Sequence, residues 1–260
     1  MITVRRAALS VLLESNPELK AERARTLCVD GDCGESEIIE EPAGIPGRPQ
    51  QPWLVPYTQL KQRSLRTTEG RAGLIHALAH IELNAIDLAV DVVWRFAAMP
   101  TDFYRQWARI AQEEALHFQL LRAHLRSMGF DYGDFPAHNA LWQMAEKTRH
   151  DLLARLALVP RTMEARGLDA SPPIKAKLLA AGDCRGADIL DVILRDEIEH
   201  VAVGNRWYHA LCKARGLDHV ATYAALAAQY SAPRPRGPFN FDARRAAGFD
   251  ENELAALQGT

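Results

Sequence analysis

The sequence predicts an all-α protein, a four-helix bundle with a long crossover and extra helices at both ends. Three observations predict it. Apolar residues recur at helical spacing through several long stretches, and two of these carry Glu-x-x-His, at Glu114–His117 and Glu197–His200. Each pair is preceded by a lone glutamate in another such stretch, Glu82 lying 32 residues before Glu114 and Glu164 lying 33 before Glu197. Finally, Glu82 to Glu164 is 82 positions and Glu114 to Glu197 is 83, so one helix-pair unit occurs twice.

The elements follow in order. Two short helices are expected over 3–14 and 17–27. Arg5-Arg6 followed by Ala7 to Leu13 has the basic start of a signal segment, but Glu14 ends the apolar run and no Ala-x-Ala follows, so an amphipathic helix packed on the bundle is expected. A connector from Val29 to Arg66, with Gly44, Pro46, Gly47, Pro49, Pro52 and Pro56, is expected to lie extended over the bundle. The first bundle helix is expected at 68–98, before Pro100, and the second at 101–128, before Gly129. A crossover over 130–150 holds a short helix from Ala140 to Lys147. The third bundle helix is expected at 151–167, either bent at Pro160 or restarting there, because proline removes a helical hydrogen bond. A turn at Asp169 to Pro173, a helix at 174–181, and the fourth bundle helix at 186–214 come next. A helix at 218–229, a non-helical arm over Pro233 to Pro238, and helices at 241–247 and 250–258 complete the chain. The domain organisation is then 1–66 as helices and connector, 67–230 as the bundle, and 231–260 as the C-terminal arm and helices.

Helical phase tests the glutamates, since residues three, four and seven apart share a face. Glu82 shares its face with Ile75, Leu78, Ala79, Ala85, Ile86, Ala89 and Val93. Glu114 and His117 lie among Trp107, Ile110, Ala111, Phe118, Leu121 and Leu125, and Glu197 and His200 among Ile189, Leu190, Ile193, Leu194, Val201 and Gly204. Burying an unpaired carboxylate costs several kcal/mol, against about 5–15 kcal/mol for the stability of a whole domain. Four of them in one core need compensating charge, and these stripes contain no lysine or arginine. Two metal ions held by Glu82, Glu114, His117, Glu164, Glu197 and His200 supply it. One Glu from each of two helices and Glu-x-x-His from each of the other two is the donor set of a carboxylate-bridged pair. Mixed oxygen and imidazole donors suit iron, with manganese as the alternative.

Metal-bound histidines usually donate their other ring N–H to a carboxylate. Glu113 and Asp196 directly precede the two motifs, and each is expected to reach the opposite histidine, Asp196 that of His117 and Glu113 that of His200. His76 and His80 sit about 120° and 160° around the helix from Glu82, which places them behind the ligands or on the surface. His124 and Tyr208 follow His117 and His200 on the same sides and are expected to be packed.

Lysine and arginine number 31 against 33 acids, so the formal charge of −2 provides no general attraction to nucleic acid or membrane. No stretch is expected to span a bilayer. The four cysteines, Cys28, Cys33, Cys184 and Cys212, form no Cys-x-x-Cys pair and fit a reduced cytoplasmic protein.

Four segments carry a family resemblance: His76-Ala77-Leu78-Ala79-His80-Ile81-Glu82, Gln112 to Phe118, Pro160 to Asp169, and Asp196 to His200. In them the chain resembles the ferritin-like superfamily, and more narrowly a ferritin-like bacterial family of unknown function related to the MiaE-type tRNA hydroxylases. The similarity spans residues 45–250 and fills all six ligand positions. It implies a non-haem di-iron centre that reacts with dioxygen, and no particular substrate.

Three functions fit: an oxygen-dependent oxidase or hydroxylase acting on a small organic substrate with an electron donor, a ferroxidase linked to iron storage, and a metal-binding structural or regulatory protein without turnover. The resemblance also brings tRNA forward as a partner, for which Lys61, Arg63, Arg66 and Arg71 offer only a local basic run. A homodimer formed through an outer helix face completes the expected partners.

Overall fold

The computed structural model describes residues 2–258, and among them all regular structure is helical apart from an isolated bridge between Leu54 and Ala137. The chain is all-α. It divides into two compact units, Met1–Ala140 with Ala180–Ile189, and Leu141–Leu179 with Leu190–Thr260.

The first unit is built on a helical hairpin of α3 (Thr68–Arg95) and α4 (Thr101–Ser127), with α1 (Val4–Leu13) and α2 (Pro17–Arg25) packed against it. Local chemistry sets the ends. Thr67 caps α3 through the Gly70 N–H, and Asn16 caps α2 with Pro17 as the first helical residue. The helix α3 stops at Arg95 rather than 98, because Phe96 is extended and Ala98 turns the chain at φ 58°. Gly129, at φ 86°, ends α4 in the left-handed conformation, and the Phe130 N–H returns to the Leu125 carbonyl at 3.2 Å.

The apolar stripes around Glu82 and Glu114 are all buried, from Ile75 and Ile86 on α3 to Trp107 and Phe118 on α4. Each large side chain buried in this way contributes about 1.5–3 kcal/mol. The 28-residue α3 is long and apolar enough to cross a membrane, contrary to the expectation that no stretch would be, and 78% of its most apolar window is buried within the protein. Apolar length here reflects a helix covered on nearly every side.

Within this unit the connector lies against the helices. Val55 N and Ala137 N exchange hydrogen bonds with Ala137 O and Trp53 O at 2.8 and 3.0 Å. Gly47 passes so close to α1 that a Cβ would lie 2.2 Å from the Leu13 carbonyl oxygen, which leaves room for no other residue. Arg5 is 1% exposed and donates to Gly34 O and Trp94 O at 2.9 and 2.7 Å, tying α1 to the connector and to the end of α3. His76 and His80 are buried, not superficial. His76 Nε2 accepts from Gly133 N at 3.0 Å and His80 pairs with the Tyr132 hydroxyl at 2.8 Å, so both hold the start of the crossover.

The second unit contains α5 (Ala140–Lys147), whose first residue falls in the first unit, α6 (Leu152–Leu158), a π-helical turn (Val159–Glu164) and α7 (Ala165–Ala180). It also holds most of α8 (Cys184–Ala214), then α9 (His219–Gln229), α10 (Phe241–Ala246) and α11 (Glu251–Gln258). The helix does not restart at Pro160 but runs through it in π-helical form. The chain widens into a π-turn, in which Thr162 Oγ1 donates to Ala157 O at 2.9 Å and the Ala165 N–H bonds Pro160 O, both five residues back.

The turn expected at Asp169 to Pro173 is absent: α7 runs through Pro172 and Pro173. The reason is tertiary. Pro172 has no N–H for the Leu168 carbonyl, and the Asn240 side-chain amide supplies a donor at 3.2 Å instead. Arg244 pairs with Asp169 at 2.6 Å beside it. Leu168, Val201, Ala243, Ala247, Phe249 and Leu254 form the apolar core that holds α7, α8, α10 and α11 together.

Candidate metal centre

Three of the six expected ligands converge in the first unit. Glu82 lies at the middle of α3 and is 3% exposed, while Glu114 and His117, one turn apart on α4, are 1% and 0% exposed. Each offers a donor atom within 4.8 Å of the others. His117 Nδ1 lies 3.2 Å from Glu82 Oε2 and 3.4 Å from Glu114 Oε2. Metal–ligand bonds of about 2.1 Å put neighbouring donors about 3.0–3.4 Å apart, so the donor set and its spacing fit one metal ion. Two buried carboxylates beside one imidazole in an apolar stripe form a site that can hold a cation.

The second unit repeats half of this arrangement. Glu197 and His200 lie one turn apart on α8, 7% and 1% exposed, with His200 Nδ1 3.7 Å from Glu197 Oε1. Glu164 is half-buried and is the last residue of the π-turn. One extra residue in a turn rotates everything after it by about 100° relative to an α-helix, so the π-turn sets the direction in which Glu164 leaves the helix. Gly204, one turn beyond His200, lies directly against Pro160 and is the contact that lets this turn approach α8.

The acids before each motif are half-buried. Asp196 accepts from Arg195 Nε at 2.7 Å. His124 is packed, 2.9 Å from Asp183 Oδ1, and Tyr208 is fully buried with its hydroxyl donating to His219 O at 2.6 Å. All four cysteines are free thiols, Cys33 and Cys212 buried and Cys28 and Cys184 exposed.

A further cluster has no signature in the sequence. His209, His219 and Glu253 also bring donor atoms within 4.8 Å of one another. They stand on α8, α9 and α11 at unrelated spacings, so no periodicity joins them.

An uncharacterized protein of Haemophilus influenzae strain Rd is 47% identical over 225 residues, covering 84% of this chain and 78% of that protein. No solved structure matches the chain. The match to the family described as protein of unknown function (DUF455) runs over residues 13–255, nearly end to end, and the chain belongs to that family.

Proposed function

We propose that the protein is a ferritin-like carboxylate protein in which Glu82, Glu114, His117, Glu164, Glu197 and His200 hold two iron ions, and that it is an oxygen-dependent oxidase or hydroxylase. The observation that carries this reading is the buried convergence of Glu82, Glu114 and His117 at metal-donor spacing. The matched spacing of the Glu164, Glu197 and His200 set extends it to a pair.

The chemistry such a pair supplies when bound is reduction of dioxygen coupled to oxidation of a nearby C–H bond. The residues have separate tasks. When metals are bound, His117 and His200 would each supply a ring nitrogen, and the four glutamates would supply carboxylate oxygens and offset the metals' charge. With the metals bound, Glu113 and Asp196 would accept the outer ring N–H of the opposite histidine and fix its tautomer. Apolar neighbours such as Ile86, Phe118 and Val201 keep bulk water from the carboxylates.

The test is metal analysis of protein expressed with iron, followed by optical spectra of the reduced protein before and after oxygen. About two irons per chain, with oxygen consumed in proportion to an added reductant, is the expected result. Continued uptake of many irons would favour storage, and tight metal binding without oxygen consumption would favour a structural role. Glu114→Ala and Glu197→Ala should each lower the metal content; two tightly held metals in both variants would overturn the assignment.

A further inference from the structure

We propose that His209, His219 and Glu253 form a second divalent-metal site, separate from the first, with the two-histidine, one-carboxylate donor set that suits zinc. His209 lies nine residues beyond His200 on α8, about 13 Å along the helix axis, and the two groups share no ligand.

Three features support it. First, the donors are presented as a metal site presents them. His219 Nε2 is 2.7 Å from Asp250 Oδ2; with that N–H donated to the carboxylate, Nδ1 carries the lone pair that a metal needs. Glu253 is 6% exposed, and its carboxylate is fixed by the Asp250 N–H at 2.9 Å and by an ion pair with Arg161. The two imidazoles lie 4.9 Å apart, centroid to centroid, and are partly open to solvent, which gives an ion a way in.

Second, the two contacts at His209 Nε2 cannot both be hydrogen bonds. Its Nε2 is 3.1 Å from an Arg161 nitrogen, which only donates, and 3.0 Å from Glu253 Oε1, which as a carboxylate only accepts. As an acceptor, Nε2 sets its lone pair against that of Glu253; as a donor, it points N–H at N–H toward Arg161. A cation between Nε2 and Oε1 takes both lone pairs, and 3.0 Å is an ordinary separation for two donors on one metal.

Third, the local charge accommodates a cation. Glu253 and Asp250 together outweigh Arg161 by one negative charge when the histidines are neutral. Arg161 also has other partners, since its guanidinium lies 4.1 Å from the Tyr208 ring centroid and 5.1 Å from that of Phe249. It serves as the outer partner that aims Glu253 at the two histidines. A metal bound here would fasten α11 to α8 and α9 and leave a coordination position for water.

The test uses the full chain, stripped with a chelator and carrying Glu114→Ala and Glu197→Ala to disable the first centre. Titration with Zn2+ against a chromophoric chelator should show one tightly bound equivalent, which His209→Gln with His219→Gln abolishes. An unchanged stoichiometry after both histidines are replaced overturns the proposal. The unsubstituted protein gives a second reading that does not depend on variants folding. Zn2+ at ten times its dissociation constant should slow diethyl pyrocarbonate modification of His209 and His219 by about tenfold, while exposed His150 reacts as before. Equal rates with and without Zn2+ would overturn the proposal and leave the cluster as a hydrogen-bonded clasp.

Discussion

Pro160 and Gly204 are in direct contact: a Cβ on Gly204 would lie 2.7 Å from Pro160 Cβ and 2.8 Å from its Cγ. The absence of a side chain on α8 is therefore what admits the π-turn that ends in Glu164. Gly204→Ala gains about 1 kcal/mol of helix propensity but forces a clash with the Pro160 ring, and overpacking costs about 1–3 kcal/mol or more. The expected result is a net loss of stability in urea denaturation. Adding Pro160→Ala should recover part of it, because the clashing Cγ is gone while Cβ remains.

Lys20 and Asp87 form an ion pair in the first unit with side chains 2% and 7% exposed, and Lys20 also donates to Gly47 O at 2.9 Å. Removing one partner leaves the other buried without its ion pair. Lys20→Met should cost about 3–5 kcal/mol, and Lys20→Met with Asp87→Leu should cost much less. Equal losses in the single and double variants, measured by urea denaturation, would show that the pair matters only through packing.

Legibility from sequence follows the range of the forces involved. The stripes around Glu82, Glu114 and Glu197 are legible because a helix facing a core must repeat every three or four residues, and the glutamates stand out as exceptions within them. Pro160 marks an irregularity, but not its form, since a π-turn has no side-chain pattern of its own. The continuity of α7 is hidden. Pro172-Pro173 reads locally as a turn, and the donor that replaces the missing N–H of Pro172, on Asn240, lies about seventy positions away. The burial of His76 and His80 is equally hidden, because their partners, Gly133 and Tyr132, sit in a loop without periodicity.

Those two histidines predict the pH response. Burial lowers both to about 4, from an ordinary value of 6.5. The unfolded chain therefore binds more protons between pH 6.5 and 4, so the neutral histidines contribute fully above that window and their contribution is lost as pH falls through it. Each can account for at most about 3 kcal/mol. Urea midpoints should fall between pH 7 and 5, with a shallower slope in His76→Gln. An unchanged slope would remove His76 from this account.

Asn240 joins two parts of the second unit. Its side-chain oxygen caps α10 by accepting from Ala243 N at 3.2 Å, and its amide donates to the Leu168 carbonyl that Pro172 leaves without a helical partner. Loss of a cap costs about 1 kcal/mol, and an unsatisfied buried carbonyl about 1–3 kcal/mol, so Asn240→Ala should cost about 2–4 kcal/mol. The two parts can be separated by restoring the missing N–H. In a Pro172→Ala background the Leu168 carbonyl regains its helical donor, and Asn240→Ala should then cost only the cap. A double-mutant cycle between positions 172 and 240 should therefore show coupling of about 1 kcal/mol or more. Additive losses would mean that Asn240 stabilises α10 alone and that the proline-containing helix persists for another reason.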